Sequence, residues 1–300
     1  AVSTDVLVEG HHFRTEWSTG RDVGARAAAQ NLADAAAMGA RPVALVIGLV
    51  MPPTTPVAWV RDFAQGLAQG CEPCGAGVVG GDLSAGDSLV VAVTVLGDLE
   101  GRAPVLRSGA RPGDLVVHAG TLGRSAAGLA LLSAGPQVMA GLERAEDMPQ
   151  VRDCLAAFRA PSPALAAGPA LATGGATSMM DVSDGLLRDA GRMAVASRVR
   201  IDVEDPAGLD TGVGEDLAAL EPVARLLEGS RTAARALARR WVLTGGEDHG
   251  MLAAVPPEAA SGLPAGSRVV GRALAPGDGP RVMVGGRAPD VGTGWDHFRD

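Results

Sequence analysis

The stretch Asn31-Leu32-Ala33-Asp34-Ala35-Ala36-Ala37-Met38-Gly39-Ala40-Arg41-Pro42-Val43-Ala44-Leu45-Val46-Ile47-Gly48-Leu49-Val50 changes character halfway, and that change sets the fold class. Its first half ends an Ala-rich run that begins near Asp22 and reads as a helix, closed by Gly39 with Pro42 just beyond. Its second half, Val43 to Val50, is a dense β-branched run of strand length. Downstream, Pro56 opens a second helical pattern at Val57, Val60, Phe63, Ala64, Leu67 and Ala68. Val78 to Gly81 and Leu89 to Leu96 read as further strands. Strands and helices alternate, so the fold class is expected to be α/β (α+β).

Around Gly101 to Pro112 the chain turns rich in Gly, Pro and Arg and reads as a linker. Two domains are expected, residues 1–105 and 106–300. In the second, Leu115 to His118 reads as a strand, Arg124 to Ser133 as a helix, and Arg152 to Thr173 as one or two helices broken by Pro161 and Pro163. Thr177 to Val182 is strand-like and precedes a helix with apolar face Leu186, Leu187, Ala190, Met193 and Ala194. Alternation continues through strand-like runs at Trp241 to Thr244, Met251 to Val255 and Arg268 to Ala273.

Composition removes several chemistries. All 26 basic residues are arginine, so a phosphate-binding P-loop lysine, a Schiff base and a kinase-type strand lysine are excluded. The net charge of −8 speaks against nucleic acid as the main partner, because phosphate backbones demand a basic footprint. Cys71, Cys74 and Cys154 are too few for a disulfide framework and fit a reducing, cytoplasmic location. The longest apolar run, Val43 to Met51, falls short of a membrane span and is closed by Pro52 and Pro53. The opening Ala1-Val2-Ser3-Thr4-Asp5 reads as the end of a strand, which leads one to expect a segment upstream of it.

Several carboxylates sit where an ordinary solvated acid would not. Asp5 follows Ser3 and Thr4 at a strand end; Asn31 and Asp34 lie one turn apart on a helix otherwise almost all alanine. Gly80-Gly81-Asp82 places an acid after a strand and a glycine pair, and Gly245-Gly246-Glu247-Asp248 repeats that arrangement. In Asp181-Val182-Ser183-Asp184-Gly185, Ser183 is placed to cap a helix while Asp181 shares its strand face. Singly, each reads as a turn or cap. Together they are what Mg²⁺-phosphate complexes need, since Mg²⁺ takes carboxylate oxygens plus substrate phosphates and is seldom caged by protein alone.

These residues carry a resemblance. Ser3-Thr4-Asp5, Val8-Glu9-Gly10-His11-His12-Phe13, Asn31 to Ala40, Gly80-Gly81-Asp82, Leu106-Arg107-Ser108-Gly109-Ala110, Asp181 to Gly185, Gly245 to Asp248 and Gly294-Trp295-Asp296-His297-Phe298 together resemble, in order and over essentially the whole chain, the thiamine-monophosphate kinases. That family shares a superfamily with aminoimidazole ribonucleotide synthetase, selenophosphate synthetase and a hydrogenase-maturation protein, which use ATP without a P-loop. The resemblance implies an N-terminal mixed α/β domain that pairs in a homodimer, a C-terminal α/β sandwich, and direct transfer of the ATP γ-phosphoryl group to thiamine monophosphate. It further implies Mg²⁺ ions on Thr4, Asp5, Asp34, Asp82 and Asp181, a further ion on Asp184, and Ser3 as an additional ligand. Gly81, Asp82, Arg107 and Ser183 would touch ATP; His12, Glu247 and Trp295 would touch the thiamine phosphate.

The chain departs from the family at two places: Ala33 replaces a common serine, and His249-Gly250 stands where an aromatic and an acid usually follow Glu-Asp. The resemblance leads one to expect a Gly-Asp-Asp segment, a further metal ligand, upstream of Ala1. The alternatives are another ATP-using enzyme of the superfamily, such as an aminoimidazole ribonucleotide synthetase, or a non-catalytic nucleotide-binding relative. Cys71-Glu72-Pro73-Cys74 has redox spacing but closes a helix and reads as structural. Gly120-Thr121-Leu122-Gly123, ahead of a helix, offers an N-terminus where an anion could bind. The Arg231 to Arg240 stretch reads as a solvated helix face.

Overall fold

A computed structural model of the chain describes residues 1–135, 148–292 and 294. The first sheet comprises β1 (Val2–Val8), β2 (Arg41–Met51), β3 (Gly77–Ala85) and β4 (Val90–Asp98) in the order β1-β4-β2-β3, with β2 and β3 parallel and the other pairs antiparallel. Helices α1 (Gly20–Ala37) and α2 (Val57–Cys71) cover its inner face. A capping box starts α1: the Thr19 side chain accepts from the Asp22 amide and Asp22 accepts from the Thr19 amide.

Alanine and glycine let the two helices meet at backbone distance. A Cβ on Gly24 would stand 2.1 Å from the Phe63 carbonyl oxygen, and one on Gly66 would stand 2.0 Å from that of Arg21. Only glycine fits at these crossings. Among the described residues no element covers the outer face of the same sheet: Val2, Val6, Val46 and Leu96 are exposed there. Both edges, β1 and β3, lack a partner strand within the described residues.

The second sheet runs β10-β7-β9-β5-β8-β6, from β5 (Leu115–Ala119), β6 (Ser178–Val182), β7 (Arg200–Val203), β8 (Gly250–Val255), β9 (Ser267–Leu274) and β10 (Val282–Val284). Helices α3 (Arg124–Ser133), α4 (Pro149–Arg159), α6 (Leu186–Ser197), α7 (Gly214–Ala224) and α8 (Arg231–Thr244) build a core with Val116, Met180, Val182, Leu252 and Ala254 on one face. The alternate residues Val117, Ala119, Met179, Met251, Ala253 and Val255 pack into the same core as Leu32, Ala36 and Leu171, so α1 and the short α5 (Ala167–Thr173) cover the other face. Alternation puts Asp181 on the Met179 side, facing the first domain. This is the expected two-domain mixed α/β fold, with a core shared across the domain boundary.

Local readings shift in five places. Trp241 to Thr244 is the end of α8, because its apolar residues continue the helix face of Ala234 and Ala238. Asp5 lies within β1 and Asp82 within β3, not at their ends. Ser183 caps nothing: the N-cap of α6 is Gly185, with no side-chain bond. The short β7 and β10 and the α7 helix were not legible, being brief or weakly periodic. No helix among the described residues is long and apolar enough to cross a membrane.

Candidate functional site

Three elements bring carboxylates together where the domains meet. Ser3 and Asp5 lie on the inner face of β1, Asp34 on α1 and Asp181 in β6. Ser3 Oγ donates to Asp34 Oδ2 at 2.6 Å. Burial and then the charges of Asp181 and Asp5 push the Asp34 carboxyl up to about 7. Asp5 is raised as well, first by burial, with Asp181 and Glu247 adding repulsion. Such mutual repulsion among carboxylates is the donor chemistry a hard divalent cation relieves. Among the described residues no group of three or more His, Cys, Asp or Glu side chains is arranged to hold a metal ion.

Beside the carboxylates lies a cavity of about 750 Å³, lined among others by His12, Trp17, Arg26, Phe158, Ser183 and Glu247. The Val8 amide donates to His12 Nδ1 at 3.0 Å, which leaves Nε2 to carry the ring proton. Glu247 has φ +70°, in the left-handed region that non-glycine residues rarely adopt. Its amide donates to the Ser183 carbonyl at 2.8 Å, and that of His249 to Val182 at 3.0 Å, fastening the loop to the end of β6. A Cβ on Gly246 would stand 2.2 Å from the Ser183 oxygen, so the close approach requires glycine.

The Glu247 carboxylate is held by two cations. It pairs with Arg26, and its Oε2 lies 3.9 Å from His249 Nε2. Burial alone would raise its pKa, but Arg26 and then His249 outweigh that and hold it at about 2. The His249 ring is buried, which favours its neutral form. Asp181, 3.2 Å from Nδ1, together with Glu247 reverses this and raises it to about 10. His249 thus links Asp181, in the carboxylate group with Asp5 and Asp34, to Glu247 on the cavity.

A second cavity of about 650 Å³ is lined by Arg107, Arg188, Arg192 and Arg281 around apolar residues, and both Arg188 and Arg192 reach Asp184. Arg192 bridges Asp184 and Asp189, and Asp189 Oδ2 accepts the Asp184 amide at 2.9 Å. The N-terminus of α3, read from sequence as a place where an anion could bind, is already occupied by a side chain. Asp248 Oδ1 accepts from Thr121 Oγ1 at 3.0 Å and Oδ2 from the Gly123 amide at 2.9 Å, with the Ser125 amide donating as well. Burial drives this carboxyl up to about 7 despite those bonds.

The structure thus gathers Ser3, Asp5, Asp34 and Asp181, places His12, Ser183 and Glu247 on the first cavity, and sets Arg107 on the second. Thr4 and Asp82 stand apart. Thr4 points to the bare sheet face, where its Oγ1 lies 2.9 Å from Thr94 Oγ1. Asp82, beside Gly81 on the exposed edge β3, receives a bond from Ser84 at 2.6 Å. Row by row, Asp5 pairs with Val93, Val93 with Ile47 and Ile47 with Gly81, so three strand spacings, ~14 Å, separate Asp5 from the Asp82 strand. Trp295 lies outside the described residues. Sequence reasoning missed Arg26, Trp17 and Phe158; an arginine set among alanines, eight residues before Asp34, was the available signal for the first.

Comparison with known proteins places these features. The N-terminal domain of AIR synthase related protein matches residues 1–99, and its C-terminal domain matches residues 111–270. The chain is 44% identical over 299 residues to the thiamine-monophosphate kinase of Mycobacterium tuberculosis, covering 99% of this chain and 80% of that protein. It is 40% identical over 300 residues to that of Corynebacterium glutamicum, covering 99% and 83%. Among solved structures, AaThiL complexed with AMPPCP and TMP superposes with a TM-score of 0.81 at 30% identity, over 99% of this chain and 86% of that one. Hydrogenase maturation protein HypE, at 18% identity and a TM-score of 0.65 over 97% of this chain and 84% of that one, shares the fold.

Proposed function

This chain belongs to the AIR synthase related family and, within it, to the thiamine-monophosphate kinases, and from that premise we propose how its residues divide the reaction. ATP donates its γ-phosphoryl group to thiamine monophosphate, giving thiamine diphosphate. The observation that carries the division is that two cavities adjoin one carboxylate segment, Asp181 to Asp184. The acceptor belongs in the first cavity, against His12 and Glu247. The nucleotide belongs on the Arg107 side, with Gly81, Asp82 and Ser183 at its phosphates.

Phosphoryl transfer asks for positioning and charge neutralisation more than for covalent chemistry. Ser3, Thr4, Asp5, Asp34, Asp82 and Asp181, with Asp184 on a further ion, would hold Mg²⁺. Held by these residues, Mg²⁺ would supply the positive charge that neutralises charge developing on the phosphates. The chain's own residues fix where the two phosphates meet: the β6 end sets Asp181 and Ser183, and the clamped loop sets Glu247. A reaction drawing on ATP and Mg²⁺ agrees with a cytoplasmic location.

The distance between Asp82 and Asp5 supports a homodimer. A second copy packed on the bare face, with β1 of one subunit beside β3 of the other, would cover Val2, Val6, Val46 and Leu96 and pair both free edges. It would also carry Asp82 of the partner subunit toward Thr4 and Asp5. Incubation with ATP, Mg²⁺ and thiamine monophosphate tests the activity: thiamine diphosphate should form only when all three are present. Its absence would overturn the reading.

A further inference from the structure

We propose that Arg26 is a positioning residue for the acceptor substrate, a side chain that ties the first domain to both walls of the acceptor cavity. The inference rests on the kinase reading of that cavity. Arg26 is 2% exposed and projects from α1 between the domains. One terminal nitrogen donates to the Phe158 carbonyl at the end of α4, and the other pairs with Glu247 on the loop after α8. Its guanidinium carbon also lies 5.3 Å from the centre of the Phe158 ring, which in turn meets Trp17 edge-on with centroids 6.0 Å apart. Phe158, Trp17, Arg26 and Glu247 all line the same cavity.

Stability is a poor explanation for this arrangement. A buried ion pair roughly cancels its own desolvation cost, and apolar replacements of such pairs are often neutral or better. Here the cost is higher still, because Arg26 Nε is buried without a hydrogen-bond partner among the described residues. What the guanidinium supplies, and an apolar side chain or a lysine does not, is a planar fork that serves two acceptors in different directions while stacking on a ring. Both acceptors belong to cavity walls, and one of them is the carboxylate on a left-handed residue that needs outside support.

The placement on α1 extends the reasoning. Arg26, Gln30 and Asp34 recur every four residues and so form one stripe along the helix. From Arg26 to Asp34 the helix rises ~12 Å, a fixed spacer between the acceptor cavity and the metal carboxylates. The glycine contacts with α2 hold that spacer in place. Arg26 thus sets the acceptor end, and Asp34 the metal end, of one rigid rod.

Two variants test this in the full-length chain: Arg26→Lys, which keeps the charge and loses the fork, and Arg26→Met, which removes the charge and leaves Glu247 without its arginine. KM for thiamine monophosphate should rise about tenfold or more in each, the scale of one charge-assisted hydrogen bond, while KM for ATP stays put and kcat changes by less than about threefold. Calorimetric titration with thiamine monophosphate alone should show the same loss of affinity, and titration with a non-hydrolysable ATP analogue should show none. An unchanged acceptor affinity in Arg26→Lys, or equal losses for both ligands, overturns the proposal and leaves Arg26 a strut. If the unaltered chain itself forms no thiamine diphosphate, the kinase reading falls first and this one with it. Should Arg26→Met not fold, the Arg26→Lys measurements decide.

Discussion

In the second sheet β6 and β8 are buried at every position; in the first, β3 is exposed at all but its first residue. Both sheets are made of the same Val, Ala, Leu and Gly, and both receive α1. The second is covered twice, by α1 on one face and five helices on the other, whereas the first is covered once. The contrast locates the unfinished surface of the molecule. Two residues that the family resemblance assigns to metal and nucleotide, Thr4 and Asp82, lie on the unfinished side, while Ser3, Asp5, Asp34 and Asp181 lie on the finished one.

The contrast can be broken most strongly by placing one charge on each sheet. Ala253→Glu buries an unpaired carboxylate between β8 and α1 and should abolish cooperative folding, seen as loss of the thermal transition in circular dichroism. Val46→Glu, on the bare face, should leave a folded chain that runs as a monomer in light scattering. A folded Ala253→Glu, or a dimeric Val46→Glu, would erase the distinction.

Next in size is Asp34→Asn, expected to lower the rate of transfer ~10³-fold or more, the scale of removing a principal electrostatic group from a phosphoryl-transfer site. Its circular dichroism spectrum should not change. A rate near that of the unaltered chain would remove Asp34 from the site. Mixing Asp5→Asn with Asp82→Asn, each inactive alone, sharpens the comparison further. If Asp82 serves the neighbouring subunit, half the dimers are mixed and each has one of its two sites whole, so roughly a quarter of the activity should return. No return would assign Asp82 to its own chain.

The smallest effect concerns pH. Asp248 titrates at about 7 when folded and near 4 when unfolded, so its neutral form favours the folded state. Stability should therefore fall as pH rises from about 4 to about 7 and level off above. Asp248→Asn should flatten that slope in urea titrations. Asp34 is raised in the same way, but it faces the carboxylates of Asp5 and Asp181 while Asp248 is bonded internally. Addition of Mg²⁺ with an ATP analogue should still raise the melting temperature of Asp248→Asn, and should do so much less for Asp34→Asn.

The alternation of helix and strand was legible because Ala-rich and β-branched runs are separated by Gly and Pro at Gly39, Pro42 and Pro56. Asp34 and Asp181 were legible as acids in unusual company. Arg26 was not, since its partners lie far along the chain, at Phe158 and Glu247, and spacing carries no information about them. The α3 N-terminus looked open for the same reason: the carboxylate that fills it, Asp248, comes from 125 residues away. Asp82 read as part of one cluster because sequence gives strands but not their order, and it is the order β1-β4-β2-β3 that sets it apart.

The shared core also bears on how the chain is made. Synthesis delivers α1 to the ribosome exit long before β8 (Gly250–Val255), yet Met251, Ala253 and Val255 form part of the surface on which α1 comes to rest. The N-terminal half therefore cannot complete its packing as it emerges, and a nascent chain halted before β8 should hold α1 and the first sheet in a loosely packed, protease-sensitive state. Folding of this protein is completed late in translation, by the second domain closing over a helix that has been waiting for it.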